Sequence, residues 1–289
     1  MSTTVVTLPI VSALVTAEDV LGPKRQWNAT NPTQARFLAE FFLACREEIG
    51  IAEIESLASW SAEEINQFLA ERGFSIELEP FDQDTFGVAS VLNLLVEWLH
   101  EGKISTIMTP DEQTYPGVLL SGEGTSFLTS PGRRNPIARL ATKSGDTVFI
   151  TVLDSPPEGF DLVGLTKKLL KGAGACGDYG GLIFPMVDLD QQINLDWLLG
   201  MWTKQEPSSR RAFISQALQQ TILKMNEKGA RAKSAVAIAV TLECFTQTMP
   251  NYVVDRPFLM WIEREGMSRP LFVGHITPED WKNPGSLGE

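Results

Sequence analysis

Cysteine, histidine and positive charge are what this sequence has little of. Three cysteines (Cys45, Cys176, Cys244) and two histidines (His100, His275) are scattered through 289 residues. No two cysteines stand at metal-ligand spacing, which removes support for a zinc site. Three cysteines in a chain of this length do not make a disulfide framework either. Lys plus Arg number 24 against 36 Asp plus Glu, for a net charge of −12. Nucleic-acid binding needs a basic footprint, and attachment to anionic lipid needs basic clusters, so neither is expected. No apolar run reaches the roughly 18–20 residues of a membrane span. The mildly apolar stretch Val5–Ala17 has no basic residue before it, the first being Lys24. A secretory leader would begin with one, so the stretch is expected to be a strand or a short core segment and the protein cytoplasmic.

What is present is an ordinary globular composition, 43% apolar and 21% charged, rich enough in apolar residues to fold. The first third reads as helical. Asn31-Pro32 is an N-cap and N1 pair, followed by Phe37, Phe41 and Cys45 at near-helical spacing up to Gly50. Ser61-Ala-Glu-Glu64 is a capping box opening a helix with Ile65, Phe68 and Leu69, closed by Gly73. Phe74–Leu78 alternates like a short strand. Val88, Val91, Leu92, Leu95 and Leu99 predict a third helix over 84–100, with His100 at its C-terminus, where an imidazole complements the macrodipole.

After Gly102 strands are expected at 148–153, 182–184, 217–225, 234–242, 253–263 and 270–276. Helices are expected near 162–170 and 195–201. Helices first and antiparallel strands later make an α+β protein, one domain over 1–289. Gly172-Ala-Gly174-Ala-Cys-Gly177 fits a dinucleotide fingerprint as a string. It has a helix before it and a strand after it, the reverse of the required order, so it is expected to be a loop that ends the helix. Nucleophile elbows, phosphate loops and the His-Glu-x-x-His pattern do not occur. Neither enzymatic activity nor a cofactor is expected.

The informative region begins at Asn226-Glu-Lys-Gly229. Beyond it the residues alternate strictly. One face reads Ala230, Ala232, Ser234, Val236, Ile238, Val240. The other reads Arg231, Lys233, Ala235, Ala237, Ala239. The first face is small and uncharged and can lie on a core, so the segment has the form of a strand able to slot into a sheet.

Around it the chain resembles the serpins. Tyr252-Val-Val-Asp-Arg-Pro-Phe-Leu-Met-Trp-Ile262 fits the family's C-terminal signature, and Leu271-Phe-Val-Gly-His275 with Pro278 is similar to its last buried strand. Asn226–Gly229 resembles the hinge of the reactive loop. Leu182-Ile-Phe-Pro185 and Asn194–Gly200 resemble the elements upstream. Leu92-Asn93, Val96 and Gly102-Lys-Ile104 keep the family's spacing, with Leu95 and His100 where it has Trp and Thr. The resemblance is strong over 180–280 and weak over 88–180, and residues 1–87 are unassigned. The family's Asn-Ala pair, part of the shutter of its central sheet, is missing after Ile104. Tyr115–Leu120 is the candidate for the strand concerned, with Ser121 in place of the Asn and little room before Ile137 for the strands that follow.

The resemblance implies a serpin-like α+β fold, with mostly antiparallel central sheets and helices drawn largely from the N-terminal third. It implies inhibition of a serine (or cysteine) protease by a cleavable loop that inserts as a strand. The hinge would be Asn226, Glu227, Gly229, Ala230 and Ala232. The scissile region would span Leu242, Glu243, Cys244, Phe245 and Thr246. No Lys or Arg occurs between Ser234 and Asp255, so the target is not expected to be trypsin-like, whose acidic primary pocket would find no cation. The alternative is a non-inhibitory binding or structural protein in which 230–240 is a permanent sheet strand.

Overall fold

The computed structural model describes residues 1–82, 85–207, 210–230 and 249–287. The chain starts with β1 (Thr3–Val5), α1 (Leu8–Thr16), α2 (Glu18–Leu21) and α3 (Pro32–Phe37). Asn31 caps α3 through its side chain, which accepts from the Gln34 backbone N–H. The helix continues through a π-helical stretch, Leu38–Phe42, into α4 (Leu43–Cys45). Then come β2 (Ile54–Ser59), α5 (Ala62–Ala70), β3 (Gly87–Leu92), β4 (Val96–Glu97), β5 (Lys103–Met108), β6 (Thr114–Ser121), β7 (Thr125–Thr129), β8 (Ile137–Ala141) and β9 (Thr147–Val152). After α6 (Phe160–Leu170) follow β10 (Gly174–Cys176), β11 (Gly181–Pro185), β12 (Val187–Asn194), a 3₁₀ turn at Asp196–Leu198, β13 (Trp202–Lys204) and β14 (Arg211–Phe213). The last described elements are β15 (Leu218–Met225), β16 (Gly229–Ala230), β17 (Asn251–Val253), β18 (Phe258–Glu263), β19 (Phe272–Ile276) and a 3₁₀ turn at Pro278–Asp280.

A seven-stranded sheet in the order β1-β19-β18-β9-β8-β7-β10 carries the core. Every residue of β19 and all but the last of β18 are buried. Trp261 of β18 stacks on Phe149 of β9, 4.8 Å between centroids. Continuous apolar runs suit strands covered on both faces. A four-stranded sheet runs β17-β11-β6-β5, and the remaining strands form the pairs β2–β3, β12–β15, β4–β16 and β13–β14. Phe37, Phe41, Phe160 and Trp197 form an aromatic cluster that fastens α3 and α6 together. This is the expected α+β architecture, with the helices concentrated in the first 70 residues.

Several expectations need correction. Residues 87–97 form strands, not a helix: Gly87, Ala89 and Val91 are buried in alternation, and a β-carbon at Gly87 would strike the Phe81 ring. The apolar positions fit both periods, and the β-branched valines and the Gly decide for the strand. His100 therefore ends no helix; its imidazole lies exposed, 3.8 Å from Glu123. Val5–Ala17 divides between β1 and α1. The 253–263 run breaks at Pro257, which has no N–H to donate, and its two parts, β17 and β18, belong to different sheets. The glycine string does follow a helix, with Gly172 at φ +74° ending it, but Gly174–Cys176 adds an edge strand to β7. The space before Ile137 holds β7. Phe74–Leu78 alternates as read but pairs with no strand among the described residues. The segment expected as a strand at 234–242 lies outside the described residues.

Candidate functional site

Among the described residues β3 is paired on one side only, with β2, and β15 on one side only, with β12. The two pairs do not join among the described residues. Between the free edges of β3 and β15 lies a cavity of about 980 Å³. Val91 of β3 and Thr221 and Leu223 of β15 line its sides, Ile10 and Leu14 of α1 its floor, and Ile76 its outer wall.

The hinge residues stand at one end of this slot. Met225 ends β15, and Asn226, 3% exposed, is bonded through four groups. Its N–H donates to the Gly229 carbonyl at 2.9 Å and its Oδ1 accepts from the Lys228 N–H at 2.9 Å. Its Nδ2 donates to the Gly285 carbonyl at 3.0 Å, and its own carbonyl accepts from Trp98 Nε1 at 2.9 Å. A short polar side chain that bonds the backbone two residues on is the device of an Asx turn. The Glu227 carbonyl accepts from the Gly102 N–H at 2.7 Å, and the Lys228 carbonyl from the Trp98 N–H at 3.2 Å. Gly229 and Ala230 then pair antiparallel with Glu97 and Val96. A β-carbon at Gly229 would run into the Val96 carbonyl and Glu97 Cα, so this close approach requires glycine.

The directions matter. β16 runs antiparallel to β4, which follows β3 after an irregular stretch. The turn at 226–229, closed by the Asn226 N–H on the Gly229 carbonyl, also reverses the chain with respect to β15.

The structure thus brings Asn226, Glu227, Gly229 and Ala230, the residues expected as the hinge, together in one turn. Ala232 and the scissile region Leu242, Glu243, Cys244, Phe245 and Thr246 lie outside the described residues. Where the segment re-enters, Tyr252 of β17 is buried, and its hydroxyl accepts from the Val152 N–H at 3.0 Å. Burial pushes this phenol up to about 12. The indole at this turn is Trp98, 1% exposed, whose Nε1 bonds the Asn226 carbonyl. Ser121 ends β6 opposite Gly181 in the four-stranded sheet, away from the slot. Sequence reasoning also missed Gln216 and Gln220, which hold the segment 74–79 over β15. A pair of glutamines carries no motif; only the bonds reveal it.

Known proteins agree with this architecture. Residues 189–278 match the family model Serpin (serine protease inhibitor). Over these residues the chain is similar to the serpin superfamily. Among curated serpins, Serpin-ZXA of Oryza sativa subsp. japonica is 31% identical over 71 residues, 25% of this chain and 18% of its own. Plasminogen activator inhibitor 1 of Neovison vison is 27% identical over 172 residues, 53% of this chain and 42% of its own. The chain thus matches less than half the length of either relative. In structure, the serpin from Schistosoma mansoni superposes with a TM-score of 0.60 at 10% identity, covering 95% of each chain. That likeness extends the serpin fold to the N-terminal residues that sequence comparison leaves unassigned. Among the described residues, no group of His, Cys, Asp or Glu is placed to hold a metal ion, and no helix is long and apolar enough to cross a membrane.

Proposed function

We propose that this protein inhibits a serine-type (or cysteine) protease by a cleavable loop that fills the slot between β3 and β15. The observation that carries this is the turn at 226–229: the chain leaves Ala230 antiparallel to β4 and turned back along β15, whose other edge lacks a partner among the described residues. In the register set by the Asn226–Gly229 turn, a strand continued from Ala230 would place Ala232 beside Leu223, Ser234 beside Thr221 and Val236 beside Gln219. Leu223 and Thr221 are buried. Cross-strand neighbours share a face, so the small, uncharged face of the segment would point into the core and Arg231 and Lys233 would point outward.

The chemistry needs no catalytic group from the inhibitor. The protease nucleophile attacks the scissile carbonyl, the peptide bond breaks, and the new amine takes a proton and departs. The acyl-enzyme remains on the upstream fragment. If that fragment enters the slot before water attacks, the protease is carried along and its active site distorted. The stabilisation comes from ladder bonds to two edges at once. Counting from Glu227 as the family does, the scissile bond falls near Glu243-Cys244. The loop to Asp255 is a few residues longer than usual, which gives the range Leu242–Thr246.

Incubation with a panel of proteases tests this. A denaturant-resistant covalent complex is expected with a chymotrypsin-like or subtilisin-like enzyme, suited to Leu242 or Phe245, or with a Glu-specific one, suited to Glu243. No such complex is expected with trypsin, which finds no Lys or Arg between Ser234 and Asp255. Simple turnover by every protease in the panel would refute trapping, and a stable trypsin complex formed within this window would refute the specificity.

A further inference from the structure

The four-stranded sheet β17-β11-β6-β5 ends at β5, whose outer edge pairs with no strand among the described residues. A row of free N–H and C=O groups is a template for another strand, and edge strands are commonly guarded by charges, prolines or bulges. β5 (Lys103–Met108) has one charge, Lys103, at its start and no proline within it. Its side chains are bare. Ile104 is 73% exposed and Met108 65%, and Thr106 between them is exposed as well. Alternate residues of a strand share a face. On that face Val118 and Phe184, aligned with Ile104 across β6 and β11, are buried. β5 thus carries the apolar layer of the sheet past the edge of the molecule.

The same three residues turn their backbone groups outward. In an antiparallel pair, bonded and non-bonded positions alternate. The Thr109 N–H donates to the Gln113 carbonyl at 2.9 Å, which continues the register in which Met108 faces Thr114. The odd-numbered residues of β5 therefore bond β6, and Ile104, Thr106 and Met108 face away from it. Gly102, the even-numbered residue before them, follows the same rule: its N–H leaves β6 and meets the Glu227 carbonyl at 2.7 Å. Pro110, the next beyond them, has no N–H. The free run is bounded at both ends and centred on Thr106.

We propose that this edge binds a second copy of the chain, with the two β5 strands antiparallel about a two-fold axis at Thr106. A two-fold interface must be self-complementary. This axis sets Thr106 against its own copy and Ile104 against Met108 of the second copy. All the outward N–H and C=O groups of the run are then used, and the exposed side chains cover one another. Moving the axis by one residue sets Met108 against Gly102, which is already bonded, or Ile104 against Pro110. The axis at Thr106 also brings Lys103 toward Asp111 and Glu112 of the second copy; Glu101, ahead of the strand, faces the same turn and offsets part of that attraction. One strand pair is a small interface, so association is expected in about the micromolar range.

Sedimentation velocity of the full, uncleaved chain from about 1 to 100 µM tests this. A dimer that grows with concentration is expected. Thr106→Pro removes the outward N–H and no bond to β6, and an edge strand tolerates proline at such a position. The axis doubles the loss, so the dissociation constant is expected to rise roughly thirtyfold, with the thermal midpoint unchanged. Ile104→Lys and Met108→Glu test the register without proline. Each alone is expected to weaken the dimer roughly tenfold. Together in one chain they set opposite charges against each other at two places, and most of the affinity is expected to return. A chain that stays monomeric throughout overturns the proposal. So does a Thr106→Pro variant that folds and dimerises like the unchanged chain, as a dimer joined through residues beyond Ala230 would. Should that variant not fold, the charge variants decide: single substitutions that leave the dimer unaltered, or a double that recovers nothing, overturn the two-fold at Thr106.

Discussion

Replacing Arg264 with leucine is expected to lower the unfolding free energy by about 3 kcal/mol, the scale for removing one partner of a desolvated ion pair. Arg264 follows β18 and bridges two distant segments. Its Nε donates to Asp146 Oδ1 at 2.7 Å, and its Nη2 to Glu53 Oε1 at 2.6 Å. Asp146 lies in the β8–β9 turn and is 1% exposed; without the guanidinium it is a buried carboxylate short of its main partner. Glu53, just before β2, is part-exposed and supplies a smaller share. The Arg264 guanidinium beside it holds its carboxyl below the usual carboxylate range. The sign follows. A carboxylate whose folded value is depressed adds stability that is present above its unfolded value, about 4.3 for Glu. That stability is lost as pH falls through the folded value. Urea unfolding of the unchanged chain is therefore expected to weaken below about pH 4, and this acid-sensitive part is expected to shrink in R264L. A variant within about 0.5 kcal/mol of the unchanged chain at pH 7, the range of an ordinary surface substitution, would show that the bridge adds little.

Trp98→Ala is expected to cost about 3–5 kcal/mol, as for other large aromatics cut from a core. The indole is fully buried and meets Phe184 edge-on at 5.7 Å. It also ties the hinge, through Nε1 to the Asn226 carbonyl and through its N–H to the Lys228 carbonyl. Trp98→Phe keeps most of the ring packing and removes the Nε1 donor, for about 1–2 kcal/mol. Both variants are expected to speed amide exchange at Gly102, whose N–H is held by the Glu227 carbonyl. Denaturant midpoints and exchange rates check this together. An alanine variant that loses stability and leaves Gly102 protected would place Trp98 in the core without a part in the hinge.

The C-terminal strands were legible in the sequence because buried central strands leave long apolar runs. Phe258–Ile262 and Phe272–Ile276 admit little else. The turn at 226–229 was singled out by the resemblance alone; in the structure Asn226 and Gly229 each answer a local backbone demand, an Asx turn and a contact with Val96 too close for any side chain. Residues 84–100 were not, because Val88, Val91, Leu92, Leu95 and Leu99 satisfy a helical period by accident. What makes them strands is tertiary: β2 on one side, and Phe81 against Gly87. The bonding of segment 74–79 could not be read at all. Its alternation, Phe74, Ile76, Leu78, is that of a strand, and its partners are the side chains of Asn66, on the preceding helix, and of Gln216 and Gln220, more than a hundred residues away.

The slot itself is a consequence of topology. Among the described residues, two strand pairs from distant parts of the chain each present an unpaired edge, and the proposal has the chain beyond Ala230 enter between them. The most direct measurement is the thermal unfolding midpoint before and after a single cleavage within 231–248, with the cleaving protease inactivated before heating. Insertion predicts that the midpoint rises by about 10 °C or more, because the released strand gains ladder bonds on both edges. An unchanged or lower midpoint would contradict it, and would mean that the slot between β3 and β15 does not accept the loop.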